Sequence, residues 1–130
     1  MPQTISSHVY VKRLKLANKV RQLMEERRLY ENPAFCIQHL ARELGTNRSY
    51  ASALFKSELG HSFIDFVNTY RLRDAELLLR TTTQPITVIF KQVGFGTPLS
   101  FRRAFEKKNG MTPTAYRELY AQRIGLHDIK

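Results

Sequence analysis

A chain of 130 residues that is 42% hydrophobic carries enough apolar content to fold as one domain, or as two small subdomains, without covalent staples. Its one cysteine, Cys36, excludes a disulfide framework, and no apolar run approaches the roughly 18 residues of a membrane span. A net charge of +10 favours a polyanionic partner, the plainer reading being a basic, soluble surface.

Residues 1–10 read as a disordered lead: Pro2, Thr4, Ser6 and Ser7 follow no period. The basic start and apolar middle of an export signal are missing, so the expected location is the cytoplasm. From Val11, apolar residues return at Leu14, Ala17, Val20, Leu23 and Met24, the spacing of one helical face. The cations Lys12, Arg13, Lys15, Lys19 and Arg21 make its positive side, solvated or turned toward phosphate, and Glu31-Asn32-Pro33 is the expected stop.

Next comes a short helix over Ile37 to Leu44, closed by Gly45, where a tight turn asks for positive φ. Thr46 or Asn47 caps the following helix, whose apolar Tyr50, Ala51, Leu54 and Phe55 leave Ser49, Ser52, Ala53 and Lys56 facing out. Gly60 ends it. Ser62, with Asp65 three residues on, opens a long helix to about Arg80, buried through Phe63, Phe66, Val67, Tyr70, Ala75, Leu78 and Leu79. Its rise of 1.5 Å per residue makes it roughly 27 Å long.

After Thr81-Thr82-Thr83-Gln84, Pro85 suits a first helical position, and the helix Ile86 to Val93 leads to Gly94-Phe95-Gly96-Thr97. A second outward-facing helix then runs from Pro98 to about Asn109, with Phe101, Ala104 and Phe105 inward and Leu99, Arg102, Arg103 and Glu106 outward. Thr112-Pro113 starts a last helix with Tyr116, Leu119 and Tyr120 inward. The second unit repeats the first at an offset of 49 residues before its turn and 50 after it. The expected fold is all-α, with about seven helices in two helix-turn-helix subdomains joined by a long linker helix. Residues 11–80 hold the N-terminal helix, the first unit and the linker; residues 81–124 hold the second unit and final helix; residues 125–130 form a tail.

A duplicated helix-turn-helix on a basic chain points to a reader of DNA. Residues 1–33 carry seven Lys/Arg against three acids, residues 34–84 six against five, and residues 85–130 eight against three. Counterion release is therefore expected mainly from the second unit and the N-terminal helix.

Several segments together resemble the DNA-binding domain of AraC/XylS-type transcription regulators: Leu40-Ala41-Arg42-Glu43-Leu44-Gly45, Leu54-Phe55-Lys56, Tyr70 to Leu78, Val93-Gly94-Phe95, Phe105-Glu106-Lys107-Lys108 and Thr112 to Arg117. The resemblance covers about residues 16–120. It implies two reading helices in successive major grooves on one DNA face. The expected length of the linker, plus the width of the units it carries, can span the roughly 34 Å between such grooves. Four positions depart from the pattern: Phe90 stands where a small alanine is usual, as Ala41 is in the first unit; Cys36 and Pro85 replace hydroxyl caps; Ser100 replaces a tyrosine.

Base reading needs forked or amide donors, so Arg102 and Arg103 are the main candidates, paired two-pronged with guanine, although one of them can instead hold a phosphate. In the first unit Ser49, Ser52 and Ala53 offer a hydroxyl or methyl contact and no fork, with Asn47, Arg48 and Lys56 at phosphate or groove edge. Thr97 and Leu99 complete the candidate DNA set. Phosphate contacts are assigned to Ser62, Lys91, Lys107, Lys108, Thr112 and Arg117, the two hydroxyl residues marking helix starts where the dipole favours an anion. Arg71 and Arg73 suit pairing with Asp74 or Glu43 as well as they suit DNA, and Cys36 reads as a semi-buried small residue.

No catalytic residue, metal ligand or cofactor is expected. His8, His39, His61 and His127 are scattered, and Gly94-Phe95-Gly96 follows no strand, so it is turn chemistry and not a nucleotide fingerprint. The expected partner is double-stranded DNA, with RNA polymerase and an N-terminal sensor or dimerisation domain outside this sequence as further partners, and no membrane. The competing reading is a protein-interaction module of a larger regulator with weak DNA affinity.

Overall fold

The computed structural model describes residues 7–123, whose regular elements are all helical, with no strand among the described residues. α1 (Ser7–Gln22) begins four residues before the expected Val11 start, so Ser7 to Tyr10 of the expected lead are helical. The rest of that lead and the tail at 125–130 lie outside the described residues.

α1 does not end at Pro33. A wide turn over Leu23–Arg27 follows it and closes on Arg28, whose backbone is left-handed (φ 51°, ψ 44°) and whose N–H donates to the Leu23 carbonyl at 3.1 Å. A single 3₁₀ turn, Leu29–Glu31, comes next. Then follow α2 (Ile37–Glu43), α3 (Arg48–Leu54) with a wide turn Phe55–Leu59, α4 (Phe63–Thr81), α5 (Ile86–Gln92), α6 (Pro98–Asn109) and α7 (Pro113–Arg123). Pro85 sits one position earlier than expected, at the N-cap of α5, where its carbonyl accepts from the Val88 and Ile89 amides.

The duplication extends to the caps. Asn47 Oδ1 accepts from the Tyr50 amide at 2.8 Å, and fifty residues later Thr97 Oγ1 accepts from the Ser100 amide at 3.1 Å. Ser62 and Thr112, again fifty apart, accept from the Asp65 and Ala115 amides at 3.2 and 3.1 Å. Both supporting helices finish in the same motif: Gly45 and Gly94 take positive φ (71° and 110°), and the next residues, Thr46 and Phe95, donate back to Ala41 and Phe90. Removing a cap oxygen orphans a first-turn amide. Asn47→Ala and Thr97→Ala should therefore each lower the unfolding free energy by about 1 kcal/mol, read from urea midpoints at unchanged slope.

The described chain divides into two units, one holding residues up to Leu29 and Phe35–Val67, the other Tyr30–Ala34 and the residues from Asn68 on. In the first, Ala17, Val20, Met24, Leu40, Ala41, Ala51, Leu54, Phe55, Phe66 and Val67 are buried, and Phe55 meets Phe63 and Phe66 edge-on. In the second, Leu72, Ala75 and Leu79 of α4 pack with Ile89, Phe90, Val93, Phe95, Phe101, Phe105 and Tyr116. Full burial of a phenylalanine stabilises by roughly 2–3 kcal/mol, so the aromatic series from Phe90 to Tyr116 dominates this core. Phe90 finds its room against Phe101, ring on ring at 6.3 Å, while Ala104 on the facing helix stays half-buried at the edge of the same cluster.

The second unit also holds Arg71, 5% exposed and unremarkable in the sequence pattern. Its Nε donates to the Tyr30 carbonyl at 2.7 Å and Nη2 to the Asn32 carbonyl at 3.1 Å, with the guanidinium over the Phe95 ring. Burial pushes it below the ordinary arginine value. Arg73, by contrast, is exposed and lies 3.7 Å from Asp74. Cys36, expected to be semi-buried, is exposed.

Candidate nucleic-acid interface

In the first unit the N-cap turns α3 so that its apolar side, Ala51 and Leu54, meets the core, and the opposite side is left to solvent. Arg48, Ser49, Ser52, Ala53 and Lys56 together line one open hollow of about 480 Å³. Five of the six residues expected to contact DNA here thus share a face. The sixth, Asn47, has its carbonyl oxygen committed to the cap and its amide nitrogen left to donate.

In the second unit Phe101 and Phe105 fix the inner side of α6, and Leu99, Arg102 and Arg103 stand exposed at helical intervals on the outer one. Arg102 Nε lies 3.7 Å from Glu106 Oε2, with both side chains largely in solvent, so this pair contributes little and leaves the fork available. Thr97 is the N-cap of α6. Its hydroxyl accepts from the Ser100 amide and donates to Ser100 Oγ at 3.0 Å.

The phosphate set divides. Lys91 and Lys107 are exposed on the second unit. Ser62 and Thr112 are helix caps. Lys108 pairs with Glu76 at 2.9 Å. Arg117 is half-buried and closes the end of α4, donating to the Leu79 carbonyl at 3.2 Å and the Thr82 carbonyl at 3.1 Å. Those orphan helix-end carbonyls need a donor, and a guanidinium from α7 supplies two bonds at once. Arg117 is therefore a structural arginine in this geometry, not an outward cation. The sequence also did not announce Arg80, which donates to Tyr116 Oη at 2.7 Å and joins the same helix pair.

A family model described as a helix-turn-helix domain matches residues 40–119, from within α2 to within α7. The arabinose operon regulatory protein of Escherichia coli K12 is 36% identical over 83 residues, 64% of this chain. The chain belongs to the AraC-type helix-turn-helix family. An uncharacterised helix-turn-helix transcriptional regulator of Bacillus subtilis, YtdP, is 34% identical over 82 residues. The AraC-type match covers only part of these relatives, 28% of the arabinose regulator and 11% of YtdP. Among solved structures, the DNA-binding domain of the transcriptional factor AdpA in complex with a target DNA superimposes with a TM-score of 0.73 at 29% identity, over 83% of this chain and 94% of that one. The C-terminal domain of the response regulator yesN from Fusobacterium nucleatum gives 0.71 at 32% identity, over 78% and 96%. No helix of the described residues is long and apolar enough to cross a membrane.

Proposed function

We propose that this AraC-type domain binds double-stranded DNA in a sequence-specific manner and so regulates transcription, with α3 and α6 each entering a major groove, in successive turns of one duplex. The observation that carries this reading is that both reading helices bury one side in their own unit and leave the other, with the candidate contact residues, exposed. The complex of AdpA with its target DNA supports the same reading. Discrimination rests on Arg102 and Arg103, while Asn47, Arg48, Ser49, Ser52, Ala53 and Lys56 hold the first groove and Leu99 lends an apolar contact beside the arginines. Lys91 and Lys107 supply phosphate contacts in the second unit. The domain acts by occupying its site in the cytoplasm, not by catalysis, and RNA polymerase and a sensing or dimerisation domain elsewhere in a longer protein are its further partners.

Selection of bound duplexes from a random pool, followed by hydroxyl-radical footprinting, tests this. One chain should protect two adjacent major grooves on one face, and binding should weaken steeply with salt. Protection of a single groove would remove the two-groove reading, and negligible duplex affinity at low salt would favour the protein-interaction module instead.

A further inference from the structure

The five cations of α1 do not share one face. Arg13 is half-buried, and Arg21, nine residues after Lys12, lies two and a half turns on and faces the other way, where it donates to Asn18 Oδ1. Lys12, Lys15 and Lys19, at intervals of three and four, make one exposed stripe roughly 10 Å long. α1 holds no aspartate or glutamate, and these three lysines stand outside the salt bridges Arg27–Glu43, Arg73–Asp74, Arg102–Glu106 and Lys108–Glu76. The stripe has a fixed neighbour. Lys12 Nζ stands 5.7 Å from the centre of the Tyr50 ring, and Tyr50 is on α3, next in sequence to Ser49 and one turn before Ala53. Lys12 therefore stands beside α3, and Lys15 and Lys19 continue its stripe along α1 within the same unit.

We infer that this stripe is a rail for the sugar-phosphate backbone, and that the first unit holds its part of the duplex through α1 phosphate contacts more than through base reading by α3. This rests on the DNA-binding reading above and assigns its affinity to residues outside the helix-turn-helix. The physical case is a division of labour. Ser49, Ser52 and Ala53 on α3 offer no fork to a base, so affinity at this end leans on charge; in addition to Arg48 and Lys56 on that face, the three ammonium groups of the α1 stripe are point charges suited to phosphate without sequence preference.

The test uses the full chain with Lys12, Lys15 and Lys19 all changed to Gln, beside Arg21→Gln as the control on the opposite face. Titrating a selected duplex at several salt concentrations should show the log–log slope falling in magnitude by about 2–3 in the triple variant, since each lost phosphate contact removes about 0.9. Arg21→Gln should leave the slope unchanged, and backbone protection beside the α3 half-site should fade only in the triple variant. The selected sites should also be more degenerate at the α3 end. A triple variant that folds, by circular dichroism, yet keeps the parent slope and footprint would overturn the rail while leaving the DNA-binding reading intact. A parent chain that binds no duplex would overturn both.

Discussion

Gly94→Ala should destabilise the protein by about 3 kcal/mol or more, whereas Gly45→Ala, at the matching turn of the first unit, should cost about 1–2 kcal/mol. The two glycines end equivalent helices with equivalent hydrogen bonds, and both have positive φ, so both substitutions incur backbone strain, the greater at Gly94, whose φ of 110° lies further from the left-handed region than the 71° of Gly45. Their surroundings differ. A methyl group on Gly45 meets nothing within 4 Å, while one on Gly94 falls 2.1 Å from the Tyr30 carbonyl oxygen and 2.9 Å from Arg71 Nε. The carbonyl is backbone and already bonded to Arg71, so relief requires moving the 30–34 segment or breaking a buried guanidinium bond. Urea unfolding of the two variants gives the comparison directly. Equal midpoints would mean that the close approach at Tyr30 carries no energy.

The second large effect concerns recognition. Arg103→Ala and Arg102→Ala should each weaken binding to a selected duplex by about 1–3 kcal/mol, roughly 5- to 150-fold, and relax the preference at the base each one reads. Ser52→Ala, on the other reading helix, should change affinity less than either. Both arginines are exposed, so the folded state should survive their removal, and thermal melts check this. A footprint and base preference indifferent to both substitutions would refute the roles assigned to them. If only one matters, the other is the phosphate holder.

The parts of this molecule that could be read from sequence are those governed by near neighbours. The caps at Ser62 and Thr112, the glycine turns and the inward spacing of Phe101 and Phe105 depend on residues within one or two turns, and the structure has them where expected. The outward faces of α3 and α6 followed from the same periodicity. What was not legible depends on partners far along the chain. Glu25-Glu26-Arg27-Arg28 has the composition of continuing helix, yet Arg28 turns left-handed there. Arg71 and Arg117 look like surface cations until carbonyls some forty residues away claim them. Thr97, read as a DNA contact, also caps α6 through its hydroxyl.

Tyr30–Ala34 lies between two stretches of the first unit, yet its contacts put it with the second, where Tyr30 is fully buried. The copies are therefore not interchangeable cassettes. A transplant of the second helix-turn-helix into another regulator, cut at the linker alone, would leave behind a hydrophobic plug and two carbonyl acceptors that its own arginine requires, and a graft must carry that five-residue loop along with it.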